Sequence, residues 1–307
     1  MVQRLDTAPQ NLVVFAHGKE SGPWGTKITH LAAIARRRGF EVMSPDYSQS
    51  HDPRVRIAQL LELAPAARQA LVLVGSSMGG YVSLQACAAL RPQALLLMAP
   101  ALYFPDYDED PPPPAINAIV HGWHDDVVPV ERALRYAAKY RATLQVLNAG
   151  HTLNNQLTPL ARIFENLLDD ALLAGAYRLA RYGITAPNSE FAVSIDRLDS
   201  IADARLQNNC GVQHNWAIVT ACNPAGAAQS AALNAPLIAA LREQVAAAGL
   251  RFHPAAGHDP AGQWPAETSL LICDPPSGWA ETLGREFDQN AIVRGQLGQA
   301  PELVWLR

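Results

Sequence analysis

Short, almost entirely apolar runs separated by helix-length segments dominate the first half of the chain. Runs of four to six residues that are apolar throughout are typical of buried parallel strands, because helices cover both faces of a parallel sheet. The pattern therefore predicts a doubly wound, mostly parallel α/β unit of about six strands. The predicted strands are residues 12–16, 41–44, 71–74, 94–98, 115–120 and 143–147, and the predicted helices are residues 27–38, 82–90, 130–139 and 161–173.

The second half of the chain has a different character, richer in Asn, Gln and Gly, and the change falls close to Gly175. We expect two domains, residues 1–174 and residues 175–307, of which the second is a smaller α+β domain. The predicted strands of the second domain are residues 190–195, 217–222, 251–254, 270–273, 291–294 and 303–306, and the predicted helices are residues 199–207, 230–248 and 279–289.

Composition narrows the function classes. Of the 307 residues, 49% are hydrophobic and 17% are charged, and the formal net charge is −4. So much apolar material excludes an intrinsically disordered chain, and the slight acidity argues against nucleic acid as a partner. The four cysteines form no CxxC pair, and no run approaches the roughly 18 apolar residues of a membrane span. We therefore expect reduced thiols, no membrane partner and a cytoplasmic protein.

A Gly-x-Ser-x-Gly motif lies between a predicted strand and a predicted helix. The sequence Gly75-Ser76-Ser77-Met78-Gly79 follows strand 71–74 directly. In this context the chain must turn sharply so that the serine oxygen stands free, and a side chain at either glycine position would collide in the turn. A frame centred on Ser76 would not place glycines at both positions, so Ser77 is the predicted nucleophile.

Two later strand ends carry a candidate acid and a candidate base, which a serine hydroxyl needs to become nucleophilic. Asp125 and Asp126 follow strand 115–120, and His151 follows strand 143–147. The carboxyl ends of parallel strands meet at one edge of the sheet, so we expect Ser77, Asp125 and His151 to converge there. A turn or helix-capping role is the alternative for either aspartate.

Acyl transfer also requires donors for the oxyanion and a pocket for the acyl group. The predicted donors are the backbone N–H groups of Met78, at the start of the helix that follows Ser77, and of Lys19, in the loop after the first strand. Between residues 100 and 114 there is no room for a lid domain, and four consecutive prolines end that interval. The site should be open and suited to short acyl groups, with aromatic walls or rims from Trp24, Tyr103, Phe104 and Trp123.

Several motifs together resemble a known fold. Residues 10–172 resemble the α/β-hydrolase fold, and within it the small YqiA-like esterases. The resemblance implies a serine hydrolase that cleaves a small-molecule carboxylic ester or thioester without a metal or an organic cofactor. It also favours Asp125 over Asp126, since the fold's acid loop normally shows the spacing His-Gly-x-x-Asp-x-x-Val-Pro. The motifs that carry it are residues 17–27, Pro45-Asp46-Tyr47, residues 75–81 and Ala99-Pro100-Ala101.

The second half resembles a compact bacterial domain family whose function is unassigned, on the string 220–226 and on the polar residues that follow. We considered Asn223, Ser230, Asn234 and Glu267 as a small polar pocket for a nucleotide-like or amino-acid-like ligand. Turn and helix-capping roles are the alternative.

Two other classes of function stay open at this point. A thioesterase or a peptidase would use the same triad with a different pocket. A non-catalytic binding or scaffold protein would use the second domain to bind a small polar ligand. The sequence leaves the oligomeric state undetermined.

Overall fold

The computed structural model describes residues 7–105, 107–262 and 264–307. The chain forms two compact units, Met1–Gly175 and Ala176–Arg307. Each unit contains its own sheet, the first with six strands and the second with seven.

The sheet of the first unit is parallel throughout, with the strand order β2-β1-β3-β4-β5-β6. This confirms the predicted α/β class. The sheet has no antiparallel hairpin before β1 among the described residues. Its strands are β1 (Asn11–Ala16), β2 (Glu41–Met43), β3 (Ala70–Ser76), β4 (Ala94–Met98), β5 (Ile116–Gly122) and β6 (Leu144–Leu147).

Helices cover both faces of this sheet. On one face, Val14 and Leu73 pack with Leu60 and Tyr136 in a buried apolar cluster. On the other face, Phe15 contacts Phe164, with 6.3 Å between the ring centroids. Neighbouring residues of β1 thus point to opposite covered faces, which explains why its sequence is apolar throughout. The helices are α1 (Thr26–Arg37), α2 (Pro53–Leu63), α3 (Met78–Leu90), α4 (Val130–Tyr140) and α5 (Leu157–Leu179).

Helix α2 was not predicted, although its start carries a clear signal. The Asp52 side chain caps the helix by accepting the N–H of Arg54, and Pro53 occupies the first helical position. The helix shows no clear apolar periodicity in the sequence, because one of the two residues that it buries is Arg56. A cation in the position of a core residue masks the amphipathic pattern.

Helix α5 is longer than predicted. The expectation that it ends before Gly175 was wrong, since the helix continues to Leu179. Gly175 serves a close approach instead: a Cβ there would lie 2.6 Å from the backbone oxygen of Gln69. Sequence alone does not distinguish a glycine that ends a helix from one that makes room for a neighbouring chain segment.

The second unit is built on an antiparallel sheet with the order β13-β12-β9-β11-β10-β7-β8. It is the smaller α+β unit expected. Strand β7 was not predicted, because its alternation of polar and apolar residues follows the helix α5 without a turn signal. The strands are β7 (Arg181–Ala186), β8 (Ser189–Ser194), β9 (Asn215–Val219), β10 (Phe252–His258), β11 (Glu267–Cys273), β12 (Ala291–Gln296) and β13 (Glu302–Trp305).

Three helices pack on the two faces of this second sheet. Helix α6 (Ser200–Arg205) adds Ala202 to a cluster around Trp216, whereas α7 (Ala231–Ala247) and α8 (Trp279–Glu286) add Leu241 and Leu283 to a cluster around Ile272. No helix in the part of the chain that the structure describes is long and apolar enough to cross a membrane.

Candidate active site

The turn between β3 and α3 holds Ser77 in a conformation that L-residues rarely adopt, with φ 54° and ψ −120°. Two neighbouring glycines make this turn possible. A Cβ at Gly75 would lie 2.2 Å from the backbone oxygen of Gly79, and one at Gly79 would lie 2.0 Å from that of Ala16. Strain of this kind costs on the order of 1–3 kcal/mol and is concentrated at functional sites.

Three strand ends bring Ser77, His151 and Asp125 into one hydrogen-bonded series. His151 Nε2 lies 3.0 Å from Ser77 Oγ, and His151 Nδ1 lies 2.8 Å from Asp125 Oδ2. The Asp125 side chain is fully buried, whereas the His151 side chain is partly exposed. Asp126 lies exposed beside them. The sequence left a choice between the two aspartates, and Asp125 is the one that contacts the histidine.

Asp125 has more partners than the sequence indicated. Its Oδ1 accepts the backbone N–H groups of Val127 and Val128, at 2.9 and 2.8 Å. Its Oδ2 lies 3.1 Å from Nε2 of His121, which is also buried and whose Nε2 lies 2.9 Å from the Val128 carbonyl oxygen. Since both neighbours of that nitrogen are acceptors, Nε2 carries the proton; it donates to the Val128 oxygen and lies beside the carboxylate. His121 thus helps to hold the carboxylate, a role that sequence analysis missed although the two residues are four positions apart.

Backbone hydrogen bonds join the loop that carries Asp125 to the loop that carries His151. The Trp123 N–H donates to the Leu147 oxygen and the His124 N–H donates to the Ala149 oxygen, both at 2.9 Å. Gly122 permits this approach, because a Cβ there would lie 2.3 Å from the Ala149 oxygen. The distance between Asp125 and His151 therefore follows from backbone contacts as well as from their own hydrogen bond.

The loop after β1, residues 17–19, is held by a buried cation. Arg56 Nη1 donates to the carbonyl oxygens of His17 and Gly18, and Nη2 donates to that of Lys19, at 3.3, 3.1 and 3.2 Å. Its Nε donates to the Ser50 oxygen at 2.7 Å. Burial lowers the pKa of this guanidinium, which nevertheless stays charged. Four carbonyl oxygens take the place of a carboxylate partner.

His17 also stabilises this loop through hydrogen bonds. The Tyr47 N–H donates to its Nε2 at 2.9 Å, so its Nδ1 carries the proton and donates to the Gly18 oxygen at 2.8 Å. Burial lowers the pKa of His17 and keeps the ring neutral. His17 is thus a scaffold residue.

These contacts orient the Lys19 amide. In a trans peptide the carbonyl and the following N–H point in opposite directions, so binding the Gly18 oxygen turns the Lys19 N–H away from Arg56. Among the described residues, neither this N–H nor that of Met78 has an acceptor. Both residues line the cavity that contains Ser77. The two predicted oxyanion donors are therefore near the serine and unoccupied.

Arg56 offers a test of this arrangement. We expect Arg56→Lys to lower kcat for p-nitrophenyl acetate about tenfold, because an ammonium cannot reproduce the planar fork that binds several carbonyls at once. Arg54→Lys, an exposed position on the same helix, is the matched control and should leave kcat within twofold of wild type. Thermal unfolding of both variants shows whether they fold. A folded Arg56→Lys variant with wild-type kcat would show that the loop holds its shape without the guanidinium.

A cavity of about 500 Å³ lies beside Ser77 and His151, lined by mostly apolar surface. Phe104 lines it, as expected, and so does Tyr107, which stacks on Phe104 with 5.3 Å between the ring centroids. The remaining three aromatic candidates do not line it. Trp24 and Trp123 are 49% and 56% exposed, and Tyr103 packs against Tyr136 of the core. Aromatic residues in loops give no sign in the sequence of which way they point.

The segment between β4 and β5 has neither helix nor strand among its described residues and adds no lid. Asp110 of this segment is buried, although it follows the polar residues Asp108 and Glu109. The Asp110 Oδ2 accepts the Tyr103 N–H at 2.8 Å, and burial raises its pKa. Asp106, in the same segment, lies outside the described residues.

In the second unit, three of the four polar candidates converge. Asn223 Nδ2 donates to Glu267 Oε1 at 2.7 Å, and Asn234 Nδ2 donates to Asn223 Oδ1 at 3.0 Å. Burial raises the pKa of Glu267. Ser230 instead caps α7 by accepting the Leu233 N–H at 3.4 Å. These bonds hold the turn in which Asn223 has φ 52°, so they give the cluster a structural role beside any role in binding.

Comparisons with known proteins find a separate match for each of the two units. Residues 12–110 match the uncharacterised protein family UPF0227, and residues 219–292 match a protein family of unknown function, DUF3293. A hydrolase of the α/β superfamily from Xanthomonas campestris is 33% identical, over 52% of this chain and 98% of that chain, with a TM-score of 0.49. An α/β serine hydrolase without a lid from the same species is 22% identical, over 53% and 83%, with a TM-score of 0.42. None of the curated proteins compared with the chain matches it.

A sequence identity of 33% over nearly the whole length of a relative shows that the chain belongs, through its first unit, to the α/β-hydrolase superfamily. Within that superfamily its residues 12–110 match UPF0227, the family of the YqiA-like esterases, and residues 219–292 of its second unit match a domain of unknown function. Both resemblances drawn from the sequence are thus confirmed. The protein is a hydrolase of the α/β superfamily.

Proposed function

We propose that the first unit hydrolyses small carboxylic esters or thioesters through an acyl-enzyme intermediate, with Ser77, His151 and Asp125 as nucleophile, base and acid. The observation that carries the proposal is the unbroken series from Ser77 Oγ to His151 Nε2 and from His151 Nδ1 to Asp125. Three residues from three separate strand ends have no structural need to lie in this order. The open cavity beside Ser77 supports a substrate with a short acyl group.

In the proposed reaction, His151 Nε2 removes the proton of Ser77 as the oxygen attacks the acyl carbon. The proton then passes from Nε2 to the leaving alcohol or thiol. In the second half of the reaction, His151 Nε2 removes a proton from water as the water attacks the acyl-enzyme, and this proton returns to Ser77 as the acid is released. Asp125 keeps the His151 proton on Nδ1 and stabilises the imidazolium. The Lys19 and Met78 N–H groups stabilise the negative oxygen of each tetrahedral intermediate.

The donors around Asp125 support this assignment of tautomers. Asp125 Oδ2 accepts the His151 Nδ1–H, and His121 Nε2 lies 3.1 Å from the same oxygen. The carboxylate also accepts two backbone N–H groups, so three hydrogen-bond donors surround it. Such donors offset the cost of burying a carboxylate.

A covalent label tests the nucleophile directly. We expect a fluorophosphonate probe to label the full chain once, and peptide mass spectrometry to place the label on Ser77. The probe reports serine that is activated by a base, because an ordinary hydroxyl does not react with it. Labelling at another serine, or no labelling of folded protein, would contradict the proposal.

Ester, thioester and amide bonds share this machinery and differ in the leaving group. A panel of p-nitrophenyl esters, acyl thioesters and aminoacyl anilides of equal acyl length separates them by kcat/KM. We expect the esters and thioesters to be preferred to the anilides, because an amide carbonyl is less reactive and an amine is a poorer leaving group than an alcohol or a thiol.

A further inference from the structure

A lysine lines the cavity beside Ser77. Lys27 is the second residue of α1, and Gly25, Thr26, Lys27 and Ile28 all contribute to the cavity wall. Only part of the Lys27 side chain reaches solvent. In the part of the chain that the structure describes, its ammonium donates to no acceptor and forms no ion pair.

The position is unfavourable for a cation. Lys27 lies in the first turn of a helix, where the peptide dipoles already present positive charge, and that turn contains no acidic residue. The N-cap residue Gly25 offers no side chain to accept the free N–H groups of this turn. Burial lowers the pKa of Lys27 to about 8, opposed by attraction to Asp125.

The carboxylates around the cavity do not form an ion pair with the Lys27 ammonium among the described residues. Asp125 is committed to His121, His151 and two backbone N–H groups. Glu20 also lines the cavity, but its side chain is exposed on the rim. Among the described residues, Lys27 therefore feels the charge of Asp125 but has no carboxylate that it binds directly. A carboxylate in the cavity would pair with it and would also receive the free N–H groups of α1.

We propose that Lys27 binds a carboxylate carried by the substrate, so that the preferred esters are those with a free carboxylate a few bonds from the scissile carbonyl. The inference rests on the proposed function and names its substrate class. A single lysine matches the single charge of a carboxylate. The carboxylate belongs either to the acyl part or to the alcohol part of the ester, and both sources present the same group to Lys27.

Paired substrates measure this preference. For the acyl side, we compare p-nitrophenyl hydrogen glutarate with its neutral amide, p-nitrophenyl glutaramate, after subtracting spontaneous hydrolysis. For the alcohol side, we compare 3-(butyryloxy)propanoate with 3-(butyryloxy)propanamide by titration of the released acid. In at least one pair we expect kcat/KM of wild type to favour the anion by about tenfold, the size of one charged hydrogen bond.

Lysine variants connect the preference to this residue. Lys27→Met should reduce the ratio of anionic to neutral kcat/KM to about one, and Lys27→Arg should retain most of it. Lys139→Met is the matched control, because it removes the same charge at an exposed lysine that pairs with Glu109, away from the cavity. It should keep the wild-type ratio. A Lys27→Met variant that loses activity equally on both members of a pair would overturn the inference in favour of a role in stability or at the oxyanion.

The ratio should also decline as pH rises through about 8, since kcat/KM reports the ionisation of the free protein and Lys27 then loses its charge. The other titratable groups facing the cavity are Lys19, Glu20, Tyr107 and His151, with Asp125 behind them. A pH-independent ratio in wild type would exclude Lys27 as its source.

The two levels of the proposal fail in different ways. If wild type hydrolyses both members of each pair at equal rates, the carboxylate preference is wrong and the proposed function stands. If it hydrolyses none of them, or if Ser77→Ala retains the activity, the proposed function is wrong and this inference is wrong with it.

Discussion

Replacing Ser77 by alanine is expected to lower kcat for p-nitrophenyl acetate by at least about 10⁴-fold, because no acyl-enzyme can then form. His151 Nε2, which lies 3.0 Å from the Ser77 oxygen, would have no hydroxyl to deprotonate. Loss of the acyl-enzyme also abolishes the initial burst of p-nitrophenol, so stopped-flow traces and steady-state rates check the prediction together.

Ser83→Ala is the matched control for Ser77→Ala. Ser83 is buried on the same helix, α3, and its substitution removes the same hydroxyl. We expect Ser83→Ala to retain kcat within about threefold. Since Ser77 has positive φ, alanine at this position keeps the strain of the turn and circular dichroism should show a folded protein. A folded Ser77→Ala variant that still turns over the ester through a burst would place the nucleophile elsewhere.

The second large effect is expected for Asp125→Asn, which should lower kcat about 10⁴-fold with little change in KM. The carbonyl oxygen of the new amide would keep the contacts to the Val127 and Val128 N–H groups, which Asp125 Oδ1 now accepts. The amide NH₂ would then face His151 Nδ1 and donate to it. His151 would carry its proton on Nε2 and could no longer accept the proton of Ser77.

This prediction has a neighbouring control that separates the two aspartates. Asp126→Asn removes the same charge from an exposed side chain and should leave kcat within twofold of wild type. Equal losses in the two variants would show that the general charge of the loop, and not the contact with His151, is responsible.

The features of the fold and of the candidate site that could be predicted are those that depend on residues close together in the sequence. Gly75 and Gly79 mark the turn at Ser77, because any Cβ there would overlap the backbone. Strand β3 preceded it as an apolar run, so its context was visible too. His151 follows β6, the third strand after β3, and the geometry of parallel strands was sufficient to place it near the serine.

The features that escaped prediction depend on contacts between distant residues. Arg56 is buried because four carbonyl oxygens, from residues 17–19 and from Ser50, receive its donors. Lys27 is of interest because its helix begins at the wall of the cavity. No local pattern reveals either fact, since charged residues in a helix are usually solvated.

The sequence by itself determined that the first unit is a parallel α/β sheet with helices on both faces and that Ser77 occupies its sharpest turn. Alternation of apolar runs and the steric needs of glycine act over a few neighbouring residues, so they can be read directly. Only the tertiary structure decided between Asp125 and Asp126, put Phe104 and not Tyr103 in the cavity wall, and placed Lys27 in that wall. Those outcomes depend on the direction of single side chains, which the packing of whole elements sets.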